Sequence, residues 1–145
     1  MKKITMTITR IDASLPLPAY QTSGAVGFDL YSRVDMDIAP RSLGLVPLNI
    51  VVAVPVGYML LVVPRSSTPK KKHLLIPHGI GVIDQDYCGT EDELLFQGYN
   101  FSDEPVHIVR GERIAQGLLV KVGIADFTES KQVSRASRGG IGSTG

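Results

Sequence analysis

No stretch of this chain repeats apolar residues at the 3.6-residue period that a sustained amphipathic helix needs. It repeats short strands instead. Apolar runs of roughly five to eight residues are cut again and again by turn signals, drawn from nine prolines and fifteen glycines. Ile4, Met6 and Ile8 alternate with threonines, which gives an opening strand with one buried face. Leu15-Pro16-Leu17-Pro18 then interrupts, because a proline-spaced segment cannot continue a central strand. Strand patterns follow at residues 25–32, 34–38, 43–54 and 58–63, and again at 93–100, 105–109 and 113–122. The cleanest is 34–38, where Val34, Met36 and Ile38 alternate with Asp35 and Asp37. One short helical turn fits near residues 67–72. The expectation is all-β, a jelly-roll β-barrel or sandwich with a single domain over residues 1–133.

Charge and length narrow the function classes. With 145 residues the chain can bury a core without staples. A formal net charge of +1 gives no global basic field for nucleic acid or a membrane surface, so neither is expected as a partner. No stretch approaches the roughly 20 apolar residues of a membrane span, and the opening residues alternate where a signal peptide would be continuously apolar. The lone Cys88 forms no internal disulfide framework and suits a reducing compartment. The expected location is cytoplasmic, or nuclear in a eukaryotic or viral setting.

The polar residues concentrate around Gly81-Val82-Ile83-Asp84-Gln85-Asp86-Tyr87-Cys88-Gly89. Glycines bracket the stretch, so the backbone can turn on both sides. Asp84 follows Val82-Ile83 directly and is expected to emerge where a buried strand reaches a pocket. A desolvated carboxylate there belongs to a turn, an ion pair or an active site. Asp29, between Phe28 and Leu30, repeats the pattern. Arg65-Ser66-Ser67 places three donors at a strand exit, either as a solvated turn or as an anion contact. Lys70-Lys71-Lys72 is a solvated loop or a phosphate attractor, and Gln116 in its apolar context needs hydrogen-bond partners. His73, His78 and His107 lack zinc-ligand spacing. From Ser134 onward there is almost nothing to bury, while Arg135, Arg138, Ser143, Thr144 and several glycines offer donors to an anion. That segment is either a frayed end or a ligand-ordered arm.

Taken together the stretches resemble the trimeric dUTPase family over nearly the whole chain. Five motifs match in order: Ala25-Val26-Gly27-Phe28-Asp29-Leu30, Pro64-Arg65-Ser66-Ser67, residues 81–89, Arg110-Gly111-Glu112-Arg113-Ile114-Ala115-Gln116, and Gly139-Gly140-Ile141-Gly142-Ser143-Thr144-Gly145. The resemblance implies a homotrimer with shared active sites that hydrolyses dUTP to dUMP and pyrophosphate with Mg2+. It implies Asp84 as the general base that activates water for attack at the α-phosphate. It further implies Asp29 as the holder of a metal-bound water, Arg65, Ser66 and Gln116 on the phosphates, and Ser67 as a further substrate contact. Gly81, Val82 and Ile83 are further substrate contacts, His78 stands at the position that reads the uracil edge, and Tyr87 lies beneath the deoxyribose. Residues 134–145 become a mobile arm that closes over the nucleotide through Arg138, Ile141, Gly142, Ser143 and Thr144.

The chain departs from the family pattern in four places. His78 replaces a common asparagine, and Ile141 replaces the tail aromatic. Arg135 and Arg138 flank the usual arginine spacing. Thr90-Glu91-Asp92-Glu93 lengthens the turn after Gly89. Two other readings share the fold: a dCTP deaminase or bifunctional dCTP/dUTP enzyme, with Glu91 or Glu93 near the base, and a non-catalytic dUTPase-like interaction protein.

Overall fold

The computed structural model describes residues 3–133, 135–137 and 139–140. Its strands are β1 (Thr7–Arg10), β2 (Phe28–Tyr31), β3 (Met36–Ile38), β4 (Leu43–Pro47), β5 (Ile50–Ala53), β6 (Tyr58–Pro64), β7 (Leu74–Leu75), β8 (Gly81–Ile83), β9 (Leu95–Asn100), β10 (Val106–Ile108) and β11 (Arg113–Lys121). One short helix, α1 (Thr68–Lys72), lies between β6 and β7. All pairings between strands are antiparallel, in sheets ordered β1-β5, β3-β10, β2-β11-β6-β8 and β4-β9-β7. This is the all-β, jelly-roll architecture that the sequence predicts.

The helical turn falls where residues 67–72 allow it. Pro69 sits in its first turn, where a missing N–H costs nothing, and His73 ends it in the left-handed region at φ 51°. Several expected strands are shorter than their apolar runs. The first begins at Thr7, not Ile4, and residues 25–27 precede β2. The run 43–54 is two strands, separated at Asn49, whose φ of 67° no continuous strand accommodates.

The inward-facing residues of all four sheets meet in one core built on Leu30, Ile38, Leu60, Leu74, Phe96 and Ile114. Each such side chain contributes roughly 1.5–3 kcal/mol by leaving water. Asn100 is buried within it and fully engaged. Its amide nitrogen donates to the carbonyls of Ile38, Ala39 and Glu104, and its oxygen accepts from Ser102. Arg110, within the fourth motif, is a brace: its guanidinium binds Asp12 and Ser14 while its N–H donates to Asp35. These contacts tie the 12–15 loop to the turn before β11.

Gly117 marks a close approach. A Cβ placed there would stand 2.4 Å from the ring of Phe28, which is itself buried and edge-on to Tyr20 at 5.7 Å. The ring has nowhere to move. Gly117→Ala should therefore destabilise the fold by about 1–3 kcal/mol, read as a lowered urea midpoint at unchanged m-value.

Candidate active site

The sheet β2-β11-β6-β8 positions most of the candidate residues. In its register Gln116 lies opposite both Asp29 on β2 and Val63 on β6, and Ala115 lies opposite Pro64. Asp29 of the first motif, Arg65 of the second and Gln116 of the fourth therefore gather at one end of the sheet. Gly27 belongs to this end as well, its open Cβ position 3.6 Å from the Gln116 side chain.

Asp29 is 1 % exposed, yet its charge is compensated. Arg65 Nε donates to one carboxylate oxygen at 3.1 Å, and Arg113 Nη1 donates to the other at 3.1 Å. One carboxylate thus holds two guanidiniums that each remain partly open to solvent. The cluster carries a surplus positive charge, and its fixed N–H groups suit a planar or tetrahedral oxyanion. A depression of about 240 Å³ beside it is lined by Arg65, Ser67, Lys71, Lys72 and Arg113, with Glu112 as its acidic member. Lys72 is taken up by Glu112 at 2.8 Å and by the His107 carbonyl. Ser66 is exposed, and Ser67 sits at the N-cap of α1.

Asp84 lies elsewhere. β8 pairs with the middle of β6, Ile83 opposite Leu60 and Gly81 opposite Val62. Asp84 leaves that ladder toward the start of β6, whereas Arg65 follows its end. At about 3.3 Å per residue, the two ends of this seven-residue strand stand about 20 Å apart. Asp84 is exposed and borders a second depression of about 460 Å³ with Tyr58, Met59, Val82, Gln85, Asp86, Val122 and Ile124. The expectation of a buried strand leading to it is corrected here. β8 is the edge of its sheet and Val82 is 50 % exposed, because nothing among the described residues covers that side.

Two contacts hold the segment after Asp84. Gln85 Nε2 donates to the Tyr58 carbonyl at 3.0 Å, and the Tyr87 hydroxyl donates to the Glu93 carbonyl at 3.4 Å. The lengthened turn closes on itself, with the Gly89 N–H donating to the Asp92 carboxylate at 2.6 Å. His78 is exposed in the turn before β8, next to Gly79 at φ 83°. The predicted contacts at Arg138, Ile141, Gly142, Ser143 and Thr144 lie outside the described residues.

Sequence reasoning left Arg113 without a role, although its motif was in view. The signal was indirect: a carboxylate between Phe28 and Leu30 needs cations, and those could come only from other motifs. Among the described residues no group of three His, Cys, Asp or Glu side chains converges to hold a metal.

An antiparallel jelly roll with an arginine-lined, anion-suited end and an exposed carboxylate at the other is the class of β-fold protein that this site defines. The dUTPase family profile matches residues 13–145, and the chain belongs to that family. It is 39% identical to the deoxyuridine 5'-triphosphate nucleotidohydrolase of Dictyoglomus turgidum over 98% of this chain and 99% of that one. It is 41% identical to the enzyme of the same description from Corynebacterium diphtheriae, over 97% and 92%. The crystal structure of a dUTPase from Streptococcus mutans superposes with a TM-score of 0.76 at 31% identity, covering 83% of this chain and 98% of that one.

The clasp can be measured. Asp29→Asn keeps the shape and removes the charge, and should cost about 1.5–3 kcal/mol, the range for hydrogen bonds to charged groups. Combined with Arg65→Ala, the losses should fall short of additive by at least about 0.5 kcal/mol in urea unfolding.

Proposed function

We propose that this chain hydrolyses dUTP to dUMP and pyrophosphate, with Asp84 as the general base. The observation that carries the reading is the separation of its chemical groups on one sheet: an arginine pair oriented by a buried carboxylate at one end, an exposed carboxylate beside a tyrosine at the other. Family membership supplies the reaction class. A water held by Asp84 gives it a proton as the oxygen attacks the α-phosphorus. The bond from that phosphorus to the bridging oxygen breaks, and pyrophosphate leaves with the electron pair. Arg65 and Gln116 bind the phosphates, with Ser66 and Ser67 at the strand exit, and stabilise the charge that builds there. Gly81, Val82, Ile83 and His78 flank the base, and Tyr87 lies under the deoxyribose.

The donors present do not form a carboxylate cage for magnesium. Both oxygens of Asp29 accept from guanidiniums at 3.1 Å and the residue is 1 % exposed, so its first role in this arrangement is to orient those cations. The donors present fit an ion carried chiefly by phosphate and water oxygens. Asp29 would hold a metal-bound water through the lone pairs its arginine contacts leave free. Bound with the triphosphate, Mg2+ neutralises phosphate charge.

A single copy leaves its two halves about 20 Å apart by strand geometry. The face between them is apolar: Met59, Leu61 and Val63 on β6, Leu118 and Val120 on β11, and Val82 on β8. Packing that face against another copy, with the Asp84 end of one meeting the arginine end of the next, is a head-to-tail contact, which closes into a ring where the rotation between copies is a whole fraction of a turn. We assign the chain to a homotrimer with shared sites, residues 1–133 forming each subunit's domain and residues 134–145 the closing arm. The free, exposed Cys88 suits the reducing cytoplasm.

Asp84→Asn should lower dUTP turnover by about 10²–10⁴-fold while nucleotide binding persists, measured by pyrophosphate release and calorimetry. A loss below about tenfold removes Asp84 from the general-base role. For the shared site, inactive Asp84→Asn chains refolded together with inactive Arg65→Ala chains should regain activity, since hybrid assemblies contain some sites with both groups intact. No recovery over either variant alone would mean that each site draws on one chain.

A further inference from the structure

We propose that Gln85 is a positioning residue for Asp84, holding that carboxylate on the open face of the β8 edge. The inference rests on the general-base reading of Asp84 above and gives a role to the residue that follows it.

The ladder between β8 and β6 stops at the Ile83–Leu60 pair. Carried two residues further, the same register sets Gln85 opposite Tyr58. Carbonyls along a strand point alternately to its two sides, and that of Gly57 is taken by the Val122 N–H on the β11 side. The next carbonyl, that of Tyr58, therefore faces the β8 side, where main-chain pairing has already ended. The Gln85 side chain supplies the missing donor, Nε2 reaching the Tyr58 oxygen at 3.0 Å. This donor is neutral, so it brings no cation to the side of Asp84.

Burial follows the same continuation. Gly81, Ile83 and Gln85 are half-buried while Val82, Asp84 and Asp86 are exposed, a period of two that outlasts the hydrogen-bonded strand. Ile83 packs against the core, so Gln85 takes the next inward slot and Asp84 projects outward between them. Little else holds the chain there. Among the described residues no backbone bond ties residues 84–86 to β6, and the Asp84 carbonyl receives only the Tyr87 N–H, at 3.4 Å. The peptide between Asp84 and Gln85 is therefore fixed on one side by the Ile83 rung and on the other by the Gln85 amide. Without that amide the chain is free to turn about Asp84 and carry its carboxylate off the open face.

The test is steady-state hydrolysis of dUTP, with far-UV dichroism and sedimentation to show that each variant folds and assembles as the wild type does. Gln85→Met keeps the length of the side chain and removes the donor. It should lower kcat about tenfold, inside the roughly 10²-fold that a misplacement of ~1 Å can cost. KM should barely move, because the general base acts in the chemical step and not in binding. In an Asp84→Asn background there is no base left to position, so adding Gln85→Met should lower the residual rate little further. A folded Gln85→Met protein with unchanged kcat overturns the proposal. So does a rise in KM alone, which would make Gln85 a substrate contact, or a full further loss on top of Asp84→Asn. If Gln85→Met does not fold, Gln85→Asn, too short to reach the Tyr58 carbonyl, carries the same comparison. The underlying reading fails separately: Asp84→Asn alone losing less than about tenfold removes the general base, whatever Gln85 does.

Discussion

The structure depends on the ladder between β6 and β11. It runs unbroken from the Ala115–Pro64 pair to the Lys121–Tyr58 pair, and both strands turn Leu, Val and Ile side chains toward the core. Two other strands hang from it, β2 on the far side of β11 and β8 on the far side of β6. β2 meets β11 near its start, level with the end of β6, whereas β8 pairs with the middle of β6 and runs on toward that strand's start, so antiparallel pairing carries Asp29 and Asp84 to opposite ends of the sheet. The same hydrogen bonds that stabilise the fold therefore keep Asp29 and Asp84 apart.

That separation shapes the electrostatics. At one end a buried carboxylate would be costly alone, roughly several kcal/mol. Two guanidiniums offset that cost and are in return held in fixed directions. At the other end Asp84 remains in solvent, free of any ion pair among the described residues. A carboxylate meant to accept a proton from water gains nothing from a standing cation partner, whereas an arginine meant to meet phosphate gains from being pre-oriented. The two acidic residues look alike in sequence and play opposite parts, one orienting cations and the other left available.

The segment that links the two larger sheets shows how little regular structure is needed to hold chemistry in place. Gln85 fastens one side of it to Tyr58, and Glu93 fastens the other through Arg33. The extra residues after Gly89 are absorbed by a turn that bonds to itself, so the lengthening stays local.

The sequence by itself determined the strand-rich architecture and the motifs. Proline and glycine spacing and period-2 alternation act over a few residues, so they survive without tertiary context, as Val34, Met36 and Ile38 do against Asp35 and Asp37. The family motifs were legible for the same reason, since each is contiguous. Only the tertiary structure decided what those residues touch. Arg113 and Arg65 are far apart in the chain, and no local signal shows that they share Asp29. Arg33 and Glu93 lie in no motif, and their contact depends on the left-handed turn at Asn49. Val82 and Ile83 read as a buried strand because hydrophobicity records that a surface is to be covered. It does not record whether the cover comes from the same chain, and here the described residues leave that edge open.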